Sequence, residues 1–530
     1  MAAPPAQVEV NPGKVTWMTA DFGTERFDSI HGTTGLDYMR QIHAMLVSSD
    51  IEDGKRVMAS GIATEWDISP DGLTWALTIR EGVKFHDGSD LTAEDVLWTL
   101  QHSIGPEAKE WTLSAPGIAF STIMERIEQT GPNEVSVTTE IPISDFPGTM
   151  SEGYGGSIGI VIPKRETLHN EQEELVYDDN PIGAGVMKFV NHVPASSMTL
   201  ERFDDYYYRP ANGFSEDRRL KFQTLDLLMV PEEATRVAAL RSGAADVVPA
   251  SLATKDQVEA GGGRLVFGPE GVTVWVRMLG CWETEYPCHD QRVRQALAYA
   301  IDKELIRDQL YGGSDVMEVD GWAVVTPSTI GYSPELVPFP YDPDKARQLL
   351  AEAGYPNGGG FGKLIINTYN SRTAPLLIES AQIGADMWRR ELGLDVEVRV
   401  QDDAALKKAV SLTEDHFGQV LWRDQDARVD AAALLRSNYG TYYPPEEDQK
   451  KDRPHDDPEL RAFIQEAIAV FDPVEREKAL NNAYLRVRDE AYWVAVGYLN
   501  IPWGVGPRVQ TWEPYPLAAY PSALHTVTLK

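Results

Sequence analysis

An α/β protein of more than one domain is what this sequence predicts, and three observations predict it. At 530 residues the chain exceeds what a single hydrophobic core organises, while 42% hydrophobic side chains suffice to fill two or three. From residue 363 to 422 strand-like and helix-like segments alternate, the order that gives parallel strands covered by helices. Helix punctuation is explicit, with Asp342-Pro343 and Asp472-Pro473 each placing an N-cap before a proline at the first helical position.

In chain order, Trp75, Leu77 and Ile79 alternate with polar positions, Glu81-Gly82 offers a turn, and Val83 and Phe85 resume the alternation, which predicts a β-hairpin over 74–85. Thr92 with Asp95 three residues on is a capping-box pattern. Val96, Leu97 and Leu100 then carry the apolar side of a helix. Strand material returns at 134–140. Between Arg292 and Tyr311, Val293, Ala296, Leu297, Ala300, Ile301 and Leu305 form one apolar stripe suited to core packing. The helix begun at Asp342-Pro343 ends at Gly354, a left-handed cap followed by Pro356. Strands are then expected at 363–369, 395–400 and 417–422, with a helix over 375–392 and another before 417. The glycine triplets 261–263 and 358–360 and the charged run from Pro444 read as exposed loops.

Composition narrows the function. Forty-eight basic against 81 acidic side chains give a net charge of −33, which repels nucleic-acid phosphates and anionic lipid at long range. It fits a solvated acidic surface. No apolar run approaches the ~18 residues that a membrane span needs. The start, Met-Ala-Ala-Pro-Pro-Ala-Gln, carries no signal pattern, so either a cytosolic protein or a start after removal of a signal segment is expected. Cys281 and Cys288 bracket a loop short enough for a local disulfide if its ends meet. A zinc site would need histidines, of which only His289 is adjacent, and no metal or cofactor is expected.

Enzyme motifs fail on context. Gly155-Gly-Ser-Ile-Gly has the serine-hydrolase spacing, but a nucleophile elbow needs a strand before Ser157 and a helix after it, whereas a strand-like Ile-Gly-Ile-Val-Ile-Pro follows. The glycine triplets lack the lysine and hydroxyl residue of a P-loop. The most suggestive binding segment is Val420-Leu-Trp-Arg-Asp-Gln-Asp, because ligands of α/β sheets sit beyond the carboxyl ends of strands. Arg423 there offers a bidentate contact to a carboxylate or phosphate, or a partner for Asp424 or Asp426. Trp503, flanked by Pro502 and Gly504, suits either stacking on a ligand or packing at a chain crossing. Trp275 alternates with valines, leaving its face open.

A set of phrases spread over the chain resembles one family. Glu65-Trp-Asp-Ile-Ser-Pro-Asp-Gly-Leu-Thr-Trp, Gly82-Val-Lys-Phe-His-Asp-Gly-Ser-Asp-Leu-Thr-Ala-Glu-Asp-Val, Asn180-Pro-Ile-Gly-Ala-Gly and Arg202-Phe-Asp-Asp-Tyr-Tyr occur in that order. Leu240-Arg-Ser-Gly-Ala-Ala-Asp-Val, the segment from Asp290 to Lys303, and that from Tyr341 to Tyr355 follow. They are similar to the solute-binding proteins, family 5, of peptide and nickel type ABC importers. The resemblance implies a two-lobed periplasmic-binding-protein fold (type II, cluster C) with an extra inserted small domain. Lobe one would combine residues 1–49, 180–268 and 497–530, the inserted domain 50–179, and lobe two 269–496. It favours signal removal and a periplasmic or otherwise extracytoplasmic location.

The implied role is that of a receptor, not an enzyme: it captures a short peptide in the cleft between its lobes, closes by population shift, and delivers the ligand to membrane permease subunits. A monomer is implied as well. The Trp422–Asp424 stretch resembles the family's Trp-x-x-Asp segment, whose aspartate can neutralise a peptide's amino terminus; here the spacing is Trp-x-Asp, or Trp-x-x-x-Asp if Asp426 is used. Tyr439 lies in an Asn-Tyr-Gly-Thr-Tyr-Tyr loop like the family's cleft loop, and His31 in a loop that resembles one by position. An oligosaccharide or opine-like sugar conjugate is the alternative ligand, from the 13 tryptophans and Arg423. An acidic hydrolase using cleft carboxylates is the alternative of another class; a cytosolic sensor borrowing this fold would need an attached DNA-binding segment, and none is visible in this sequence.

Overall fold

A computed structural model describes residues 11–31, 35–110, 115–154, 158–164, 177–281, 283–322, 324–371, 373–402, 406, 416, 418–432, 434–435 and 457–530. Ser157, Tyr439 and the charged run from Pro444 lie outside the described residues. The chain divides into two compact units, Met1–Gly268 with Pro502–Lys530, and Pro269–Ile501.

In the first unit, strand Asn11–Thr19 runs parallel to Phe222–Met229, with Val15 opposite Leu225, and parallel to Val247–Pro249, with Trp17 opposite Val247. Ser197–Arg202 and Met187–Val193 extend the sheet antiparallel on one side; on the other, Val247–Pro249 pairs with residues 503–505. Asn11–Thr19 is thus central, and its inward residues Val15 and Trp17 are buried. A second sheet is wholly antiparallel, in the order Ala63–Ile68, Thr74–Ile79, Glu134–Thr139, Met124–Gly131. Helix Ala93–Ile104 has the capping box read from sequence, Asp95 accepting from the backbone N–H of Thr92 at 2.8 Å, and it buries Val96 and Leu100.

The hairpin expected over 74–85 is not formed. Thr74–Ile79 pairs with Ala63–Ile68 and Glu134–Thr139 instead, while Val83 and Phe85 bury in a turn whose Lys84 bridges Asp90. Alternation reports that one face is buried, not which strand lies alongside.

The second unit carries the βα alternation. Lys363–Tyr369 pairs in parallel with Asp395–Gln401 and, at Ile366 and Asn367, with Val420–Asp426. The last strand starts three residues later than expected and continues to Asp426, antiparallel to Arg264–Met278 along Val272–Met278. The sheet is therefore mixed, not purely parallel. Helix Leu377–Leu392 connects the first two strands and packs its Trp388 and Gly384 side on the sheet. Pro343–Glu352 and Pro473–Asp489 begin where Asp342 and Asp472 predicted, each aspartate accepting a backbone N–H of the first turn.

The stripe over 292–311 is interrupted. Gln291–Tyr299 is helical, Asp302 then caps a new start by accepting from the Leu305 N–H at 2.9 Å, and Leu305 is exposed rather than buried. An aspartate two residues after an alanine-rich turn competes for backbone donors and restarts the helix. Trp275, Trp322, Trp388, Trp422 and Trp493 fill the core of this unit. Among the described residues, no helix is long and apolar enough to cross a membrane and no cluster of three metal-ligating side chains occurs.

Candidate functional site

The site is built where strands Lys363–Tyr369 and Val420–Asp426 of the second unit run out of parallel pairing. That pairing ends at Leu421, and by its register residues 424–426 extend past Tyr369, the end of the neighbouring strand. Asp424 is 8% exposed, and both its carboxylate oxygens are held. Oδ1 accepts from the Tyr369 hydroxyl at 2.5 Å, and Oδ2 from the Ser371 and Thr373 hydroxyls at 2.8 Å each. Ser371 is fixed in turn, its oxygen accepting the backbone N–H groups of Thr373 and Ala374.

All three donors are neutral, and among the described residues no cation pairs with Asp424. A carboxylate that has lost most of its water and has no counter-charge is costly unless hydrogen bonds hold it. Three do, leaving about one of its roughly four acceptor positions for a further donor. Its field reaches Tyr311, whose hydroxyl donates to the Pro375 carbonyl at 3.0 Å; burial first, then Glu379 and Asp424, push that phenol up.

Strand alternation separates the other expected residues. Trp422, Asp424 and Asp426 share one face of the strand; Arg423 points to the opposite one. Arg423 lies 5.1 Å from the ring of Trp275, its cross-strand neighbour, and donates to the Asp424 carbonyl and to Gln425 Oε1. Arg423 and Asp424 therefore do not converge on one ligand group. Trp422 is fully buried, its indole N–H on Ser380 Oγ at 2.9 Å and its ring edge-on to Trp388, so it packs the sheet against the helix. Trp275 is fully buried as well, 4.7 Å from Trp493. Asp426 stands opposite Val272 at the strand end.

In the first unit, Trp503 packs edge-on to Trp17 and Trp512 at 5.2 and 5.8 Å and is 4% exposed. His31 Nδ1 lies 2.9 Å from the buried Asp28. Burial pushes the Asp28 carboxyl up, but His31 and the backbone N–H groups of Ile30 and His31 outweigh it and leave the group below its ordinary value. Cys281 and Cys288 form a disulfide, with Arg294 bonded to the Cys288 carbonyl.

Tyr369, Ser371 and Thr373 went unread in the sequence. The rule that pointed to 420–426, that ligand groups gather past the carboxyl ends of parallel strands, applies equally to 363–369 and would have found them.

Comparison with known proteins bears on what such a site serves. Residues 58–448 match the model of the bacterial extracellular solute-binding proteins, family 5 Middle. Heme-binding protein A of Haemophilus influenzae is 26% identical over 506 residues, covering 88% of this chain and 84% of the relative. Glutathione-binding protein GsiB of Pectobacterium atrosepticum is 27% identical over 447 residues, 82% of this chain and 79% of that protein. The fold matches the structure of the periplasmic binding protein DppA from Helicobacter pylori in complex with the peptide STSA, at a TM-score of 0.75, 20% identity and 98% coverage of each chain.

Proposed function

The chain belongs to the bacterial extracellular solute-binding proteins of family 5, receptors that serve ABC importers, and from that premise we propose that its ligand is a short peptide whose amino terminus is received by Asp424. The observation that carries this reading is the buried Asp424 carboxylate, held by three neutral hydroxyls and lacking a cation among the described residues. An ammonium group supplies both the missing charge and the one further donor. Membership of this family supports delivery to a membrane permease and action as a binding protein without turnover. Glutathione, the ligand in one relative's name, is itself a tripeptide with a free amine and falls within the proposed class.

Thermal unfolding against di- to pentapeptides, glutathione, heme, oligosaccharides and opine-like conjugates tests the reading, since ligand at about 1,000 times its Kd adds about 4 kcal/mol of stability. We expect free-amine peptides to raise the melting temperature and to be recovered intact, their N-acetylated forms to bind at least about tenfold more weakly, and Asp424→Asn to lose the same factor. Equal binding of acetylated and free peptides, or full affinity in Asp424→Asn, would sink the role of Asp424; stabilisation by sugars alone would replace the peptide with the alternative ligand.

A further inference from the structure

The first unit contains a cavity whose wall gathers Arg40, Arg56, Arg218, Glu152, Tyr515 and Tyr520. Three guanidinium groups meet one carboxylate there. The arginines come from three separate segments and are held by other groups: Arg56 donates to Ser49 Oγ at 2.8 Å and to Glu152 at 3.4 Å, and Arg40 to the Glu152 carbonyl and the Tyr520 hydroxyl. Arg218 is balanced by Asp50 and Glu216, neither of which lines the cavity. Arg56 and Arg218 are 2% and 6% exposed. His525, also in the wall, is held neutral: burial first, then the charges of Arg218 and Lys221, push it down to about 3.

A second observation is independent of charge. The Tyr515 hydroxyl is buried and has no hydrogen-bond partner among the described residues. A buried O–H left without an acceptor costs free energy of the order of a lost hydrogen bond, and here it stands in a wall otherwise rich in donors. Burial, the first cause, keeps this phenol protonated and hence a donor.

We propose that this cavity is a binding site for a small oxyanion, a carboxylate or a tetrahedral ion of phosphate size, received by Arg40, Arg56 and Arg218 with Tyr515 donating to it. Guanidinium groups match the paired oxygens of such anions, and their prior anchoring reduces the entropy lost on binding. The site lies within the first unit and does not rest on the peptide reading.

Isothermal titration calorimetry of the full chain with inorganic phosphate, and separately with acetate, against sodium chloride at matched ionic strength, tests it. We expect saturable 1:1 heat with at least one of the two, and weakening of about tenfold in Tyr515→Phe, which removes only the unpartnered hydroxyl. Arg40→Gln should weaken binding further. Should Arg40→Gln fail to fold, Tyr515→Phe decides alone. Heat no greater than that of chloride with both anions, or affinity unchanged in Tyr515→Phe, would overturn the site.

Discussion

His43 sits fully buried beside Tyr177, its Nε2 at 2.7 Å from the Phe27 carbonyl, and burial pushes the imidazole down to about 4 although that hydrogen bond and Asp28 oppose it. A histidine whose folded pKa is depressed is neutral when folded and protonated when unfolded throughout the interval between the two values. Its contribution is thus complete above about 6.5 and is lost as pH falls toward 4, at up to about 1.4 kcal/mol per pH unit. His86, pushed down to about 3 first by burial, acts in the same direction. We expect the melting temperature to fall between pH 6.5 and 4.5, and to fall less steeply in His43→Gln; parallel profiles for the two proteins would refute the assignment to His43. Little of this is visible in a sequence, where a histidine carries no mark of its burial. The same limit governs Asp424: its residue type and strand were legible, whereas its three hydroxyl partners 51–55 residues away were not.

Helix Leu377–Leu392 shows how an element takes its meaning from its neighbour. Gly384 lies in its interior, where alanine would ordinarily stabilise a helix by about 1 kcal/mol. Here a Cβ at 384 would come within 2.4 Å of the Trp422 ring, which is pinned by its hydrogen bond to Ser380. Gly384→Ala should therefore destabilise the protein by about 1–3 kcal/mol, read as a lower denaturant midpoint, while Gln382→Ala on the exposed side stays near neutral. A stabilised Gly384→Ala would show that the contact yields freely. Element starts were the most legible feature, since Asp342-Pro343 and Asp472-Pro473 encode their own caps within one turn. Strand partners were the least, as Thr74–Ile79 shows: its neighbours at 63–68 and 134–139 are chosen by shape and burial over long sequence separations.

For the molecule as a whole the dominant number is the net charge of −33. Many acidic groups lie exposed, among them Glu94, Asp344 and Glu475, and their mutual repulsion opposes the compact state unless screened. At 0.01 M salt the Debye length is about 30 Å; near 1 M it is about 3 Å. Raising sodium chloride from 0.01 to 0.5 M should raise the melting temperature by a few degrees, the shift produced by about 1 kcal/mol. A falling melting temperature would mean that favourable ion pairs outweigh the repulsion.

By itself the sequence determined the α/β class, the family, the helix starts and the segment that carries Asp424, because each is written in residues a few positions apart or in the order of short phrases. Tertiary structure alone decided that Trp422, Trp275 and Trp503 pack rather than stand exposed, and that three arginines from distant segments line one cavity. The reason is physical. Caps and alternation are set by local backbone geometry, whereas a side chain's surroundings depend on which distant segments the folded chain brings beside it.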